Sequence, residues 1–184
     1  MHDYPAFRFI HQDLSGSAYK DAMQATFEYY IALVWLDEQQ VLGCWDGEEL
    51  VGGMLIRDPE APDFFDPEHP VTLAFIARIG EESWQRLDAF EVMMDENSPK
   101  PDEGCYYIDL LGAKPNLQGK GYGRFMLDYV ADLARNHPTT DLVGLSTESP
   151  AKIAFYEHFG YEILTTASIG PVTSTSFILD TRKH

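Results

Sequence analysis

Three glycines alternate with other residues in Gln118-Gly119-Lys120-Gly121-Tyr122-Gly123, and Arg124 follows. An apolar run, Tyr106 to Leu111, precedes this segment, and a stretch of helical periodicity, Arg124 to Arg135, comes after it. These residue types in this order suit the holding of a phosphate. Glycines let backbone amides approach an anion, and a following helix adds unpaired N–H donors and the positive end of its dipole. Lys120 and Arg124 add positive charge to the turn. The pattern is not GxxxxGK followed by Ser or Thr, and its GxGxG spacing is not the GxGxxG of dinucleotide-binding loops.

Other chemistries find no matching constellation. His2, His11, His69, His137, His158 and His184 form no HxxxH or HxH pair, Cys44 and Cys105 stand far apart, and no metal site is expected. Gly144-Leu145-Ser146-Thr147-Glu148 lacks the second glycine of a GxSxG elbow, which argues against a serine hydrolase.

A second motif lies downstream: Ser149-Pro150-Ala151-Lys152-Ile153-Ala154-Phe155-Tyr156-Glu157-His158-Phe159-Gly160-Tyr161, separated from the first by the apolar run Leu142 to Ser146. The Gln-x-x-Gly-x-Gly loop after a strand, followed by this FYxxxGY run, resembles the GNAT superfamily of acetyl-CoA-dependent N-acetyltransferases. The resemblance covers Tyr106 to Leu164 and is topological before Asp58. The Ser149-Pro150 opening is similar to the branch that includes puromycin-type antibiotic acetyltransferases, where many other members carry Asn in place of Ser149.

The resemblance implies acetyl-CoA as co-substrate and direct transfer of its acetyl group to a small-molecule or peptide amine in a ternary complex. Leu111, Gly112 and Ala113 would hold the pantetheine through backbone groups at a splayed strand end. Gln118, Gly119, Lys120, Gly121, Tyr122, Gly123 and Arg124 would cradle the pyrophosphate, with Ser149 and Tyr156 also at the cofactor. Tyr156 matches the tyrosine that protonates the leaving thiolate, a role suited to a phenol of pKa near 10. Its alternative is an ordinary core aromatic. For the base, Asp109, Glu148 and Glu103 are the candidates; each could equally be a solvated carboxylate, and a water chain could take their place. A non-catalytic acyl-CoA-binding or regulatory module is the alternative function, and a homodimer is one assembly the resemblance allows.

The elements that must position these residues follow from periodicity. Ala6 to His11 alternates like a short strand, and Ser15-Gly16-Ser17 offers an N-cap to a helix running from Ala22 toward a break near Trp35. Val41 to Arg57 reads as a hairpin around Asp46-Gly47. Residues 58–103 form an insertion within a single domain spanning 1–184. It opens with a loop holding Pro59, Pro62, Pro67 and Pro70, continues with Val71 to Ile79 as either strand or helix, and then becomes helical from Glu81 to Met94. Tyr106 to Leu111 and Leu142 to Ser146 are strands. Ser149 caps a helix that Gly160 closes, and Tyr161 to Leu164 and Thr175 to Leu179 pair across Gly170-Pro171. The expected fold is α/β (α+β in some schemes): a mixed, mainly antiparallel sheet of six or seven strands with helices on its faces.

Composition narrows the partners. In 184 residues, 13 Lys and Arg face 30 Asp and Glu, a net charge of −17. Phosphate backbones and anionic lipid repel such a chain, so nucleic acid and membrane surfaces are not expected partners, and a cationic acceptor is weakly favoured. The longest apolar stretch, Tyr29 to Leu36, is too short to span a bilayer. No secretory leader is apparent, and two scattered cysteines fit a reduced, cytoplasmic protein.

Overall fold

The computed structural model describes residues 4–36, 40–59, 66–100 and 104–183. Its centre is a six-stranded sheet of β1 (Gln40–Asp46), β2 (Glu49–Arg57), β3 (Tyr106–Ala113), β4 (Leu142–Thr147), β5 (Glu162–Ile169) and β6 (Val172–Asp180). The strand order is β1-β2-β3-β4-β6-β5, and only β3 and β4 run parallel. The mixed, mainly antiparallel sheet read from the sequence is therefore present.

One face is covered by α5 (Tyr122–Asn136), whose stripe of Met126, Leu127, Val130, Ala131 and Ala134 is buried against Val51, Ile56, Val143 and Phe177. That face also carries α6 (Pro150–His158), through Ile153, Phe155 and Tyr156. A second apolar cluster on the other side joins α1 (Pro5–Ile10), α2 (Gly16–Leu36), α3 (Pro70–Ile79) and α4 (Glu81–Asn97).

Several local expectations change. Ala6 to His11 is helix: Pro5 at the first turn fixes φ for helix entry, and Ala6, Phe7 and Ile10 share one buried face. Over six residues, alternation and a single helical face look alike in sequence. The second helix starts at Gly16, within the expected N-cap segment, and runs unbroken through Trp35. Val71 to Ile79 is helix, started by Pro70 and by the His69 ring, whose Nδ1 accepts from the Val71 N–H at 3.3 Å. Gly80, at φ 81°, then turns the chain into α4. Ser149 stands at the N-cap position of α6 but makes no side-chain cap. The amide such a cap would satisfy, Lys152 N–H, donates instead to the Ser149 backbone carbonyl at 2.9 Å. Residues 60–65 of the proline-rich loop, and the candidate base Glu103, lie outside the described residues.

Candidate active site

The sheet opens where β3 leaves β4. The two strands pair only over Tyr106–Ile108 with Val143–Leu145. Beyond Ile108, β3 continues to Ala113 beside β2 alone. Its pairing with β4 therefore does not extend over Leu110 to Ala113, the gap expected for a ligand arm. The β2–β3 register also slips: Leu55 faces Leu110 while Ile56 faces Ile108, leaving Asp109 as an extra residue. Such a bulge twists the strand and breaks its alternation. Tyr107 to Ala113 line one cleft of about 1570 Å³.

The glycine-rich turn forms one end of this cleft through Gln118, Gly119, Gly121, Tyr122, Gly123 and Arg124. Gly119 and Gly121 have φ of 79° and 92°, conformations that cost a side-chain-bearing residue energy. An added Cβ on either would meet no atom within 4 Å, so the concave side is open. The first backbone bond of α5 runs from Phe125 N–H to Gly121 O at 2.9 Å, leaving the amides of its first turn without intrahelical acceptors. The Tyr122 hydroxyl ties this turn to the β1–β2 hairpin by donating to Asp46 at 2.6 Å. An open left-handed glycine pair ahead of a 15-residue helix fits a pyrophosphate. Lys120 is exposed, and neither it nor Ser149 is among the residues lining the cleft.

Tyr156 lines the middle of the cleft. Its ring packs on Tyr161 and Phe177 with centroids 6.0 and 5.5 Å away. Burial, helped by the nearby charge of Glu148, pushes its phenol up to about 12, so it holds its proton throughout the neutral range. Glu148, at the end of β4, is buried, and burial raises its carboxyl above the ordinary range. Ser174 donates to it at 2.7 Å, and its backbone N–H donates to the Tyr4 hydroxyl at 3.1 Å. Asp109 instead accepts from Arg57 Nε at 3.0 Å. Structure thus brings Tyr156, Glu148 and Asp109 into one cleft with the glycine turn.

Sequence reasoning missed the far wall. Glu91 of α4 faces the cleft and accepts a hydrogen bond from the Tyr30 hydroxyl of α2. Surrounding protein, together with the charges of Asp109 and Glu148, raises its carboxyl to about 7. Arg57 pulls in the opposite direction without cancelling the shift. One signal was available. Glu91 stands four residues after Leu87 and seven after Trp84, so it falls on the same helical stripe as these two apolar residues, where a carboxylate calls for a reason. Among the described residues, no cluster of His, Cys, Asp and Glu is arranged to hold a metal ion, and no helix is long and apolar enough to cross a membrane.

A family model described as the acetyltransferase (GNAT) family matches residues 5–161. The chain belongs to the GNAT acetyltransferase family. This GNAT enzyme is an acyltransferase by that membership. Its fold is similar to a crystal structure described as histone acetyltransferase HPA2 and related acetyltransferase from Corynebacterium glutamicum. That match has 16% identity and a TM-score of 0.60 and covers 90% of this chain and 77% of the other. It is likewise similar to a Drosophila melanogaster polyamine N-acetyltransferase, at 18% identity and TM-score 0.57, over 97% of this chain and 88% of that one. No curated protein matches the sequence closely enough to count as a relative.

Proposed function

We propose that this GNAT enzyme is an acetyl-CoA-dependent N-acetyltransferase that acts on an amine by direct transfer in a ternary complex, within a single domain. The observation that carries this reading is the continuity of the cleft. It runs from the open glycine turn, past Tyr156, to a chamber walled by α1, α2 and α4, so two substrates have room at once. Acetyl-CoA, when bound, supplies the acetyl group as a thioester already activated toward an amine.

The protein's own groups divide the remaining work. Amides of the glycine turn and the first turn of α5, with Arg124, hold phosphate charge. The edge of β3 from Leu110 to Ala113, beyond its pairing with β4, offers backbone donors and acceptors to the pantetheine arm and an amide to polarise a carbonyl. Glu148 takes a proton from the acceptor nitrogen, because its raised affinity for protons makes it a better base at neutral pH than an ordinary carboxylate. Asp109, already bound by Arg57, is the weaker of the two base candidates. Tyr156 donates its hydroxyl proton to the departing sulfur. The Ser149-Pro150 opening of α6 supports kinship with the puromycin-type branch.

Calorimetric titration tests the cradle. Acetyl-CoA is expected to bind, while ATP and NAD are not. Equal binding of all three, or none by acetyl-CoA, would overturn the assignment of the glycine turn.

A further inference from the structure

Building on the acetyl transfer proposed above, we propose that the acceptor is a dication, whose second ammonium is bound by Glu91 as positioned by Tyr30 while its reacting nitrogen lies at Glu148 and Tyr156. Glu91 and Glu148 come from different elements, α4 and the end of β4, and both face the same cleft. Neither forms an ion pair among the described residues. Glu91 is met by a neutral phenol, and Glu148 by the hydroxyl of Ser174 and, through its backbone N–H, that of Tyr4. The cations on this side of the cleft are already engaged: Arg57 with Asp109 at 3.0 Å, and Lys100 with Asp95 at 3.0 Å. One amine answers one of the two carboxylates. The other gains a counterion only if the same molecule brings a second positive charge.

The apolar lining of the same cleft suits the rest of such a molecule. Tyr29, Trp84, Phe90 and Tyr107 line the chamber, and Tyr29 is held rigid by stacking on Phe75 at 4.1 Å. An alkyl chain buries apolar surface on these rings, and an ammonium gains from their faces. An acceptor with a carboxylate at its far end would meet Glu91 with like charge. The two ends of the chamber are also distinguishable. Glu148 joins β4 to α6, the helix that carries Tyr156, and so stands at the transfer end, while Glu91 belongs to α4.

The test compares acceptors of one chain length, cadaverine, pentylamine and aminopentanoate, together with shorter and longer diamines, each with saturating acetyl-CoA. We expect kcat/KM for the best diamine to exceed that for its matching monoamine by at least about tenfold, carried by KM, the discrimination of one charge-assisted contact. The ω-amino acid is expected to be the poorest. Glu91→Gln keeps the side chain's shape and should bring the diamine-to-monoamine ratio to within about twofold of one, with Tyr30→Phe lowering it part-way. Unfolding curves and acetyl-CoA titrations confirm that each variant is folded and loaded. A wild-type enzyme with no preference for diamines, or a preference kept intact in Glu91→Gln, would overturn the proposal on its own. Binding of acetyl-CoA without acetylation of any amine would overturn the transfer reading and this one together.

Discussion

Replacing Tyr156 with Phe removes one oxygen and leaves the packing in place. The ring contacts with Phe155, Tyr161 and Phe177 are all aromatic, and the hydroxyl has no hydrogen-bond partner among the described residues. Stability should therefore change by no more than about 0.5 kcal/mol. Catalysis should change far more. A positioned proton donor contributes roughly 10²–10⁴-fold. Here burial holds the phenol near 12, about two units above a free tyrosine, which makes it a weaker acid and puts the expected loss toward the lower end of that range. We expect kcat to fall about 100-fold, equivalent to about 2.7 kcal/mol on the barrier. Acetyl-CoA should still bind with a Kd within about twofold of wild type, since no cradle residue is touched. Steady-state thiol release, calorimetry and thermal unfolding measure the three quantities. A kcat within about threefold of wild type would mean that Tyr156 is only a core aromatic and that the leaving thiolate finds its proton elsewhere.

Gly52→Ala should place a Cβ 2.6 Å from the Gly112 carbonyl oxygen and force β2 and β3 apart at the pantetheine grip. Denaturant unfolding should show a loss of about 1–3 kcal/mol, and calorimetry an acetyl-CoA affinity weakened by about tenfold or more. An unchanged affinity would detach that strand end from the cofactor. In the wild type, kcat/KM should rise with pH through an ionisation above the ordinary carboxylate range, because Glu148 must lose its proton to act as base. Glu148→Gln should abolish that limb of the profile, and a limb that persists would assign the base elsewhere. His11 is fully buried, and burial together with the charge of Arg86 lowers its pKa from 6.5 to about 4. Thr26 spends its hydroxyl proton on the Ala22 carbonyl, so His11 Nε2 donates to Thr26 at 2.9 Å and the ring stays neutral. The unfolded chain takes up this proton first as pH falls, so stability present above 6.5 is lost progressively toward 4, by about 2–3 kcal/mol. His11→Asn should flatten the urea midpoint against pH over that window, and equal slopes in both proteins would contradict the sign.

The cofactor side of the site was legible in the sequence because its chemistry is local. Gln118 to Arg124 carries its own conformational demand, with glycines at the positive-φ positions, and the strand and helix around it announce themselves by periodicity. The acceptor side was not legible, because it is assembled from elements distant in sequence. Tyr30, Arg57 and Glu91 meet only when α2, β2 and α4 close around β3. The bulge at Asp109 is likewise a property of pairing with β2 and leaves no mark in the strand's composition. Short apolar runs erred for a different reason. In Ala6 to Ile10 the period is too short to separate strand from helix, and Pro5 decided the matter.

Acetyl transfer is tested most directly by mixing the protein with acetyl-CoA and an alkyl diamine and following both products, free thiol by a colorimetric reagent and acetylated amine by mass spectrometry. Direct transfer predicts that the two appear together in equal amounts and only when protein and both substrates are present. Thiol released without acetylated amine, or neither product from protein shown to bind acetyl-CoA, would contradict it.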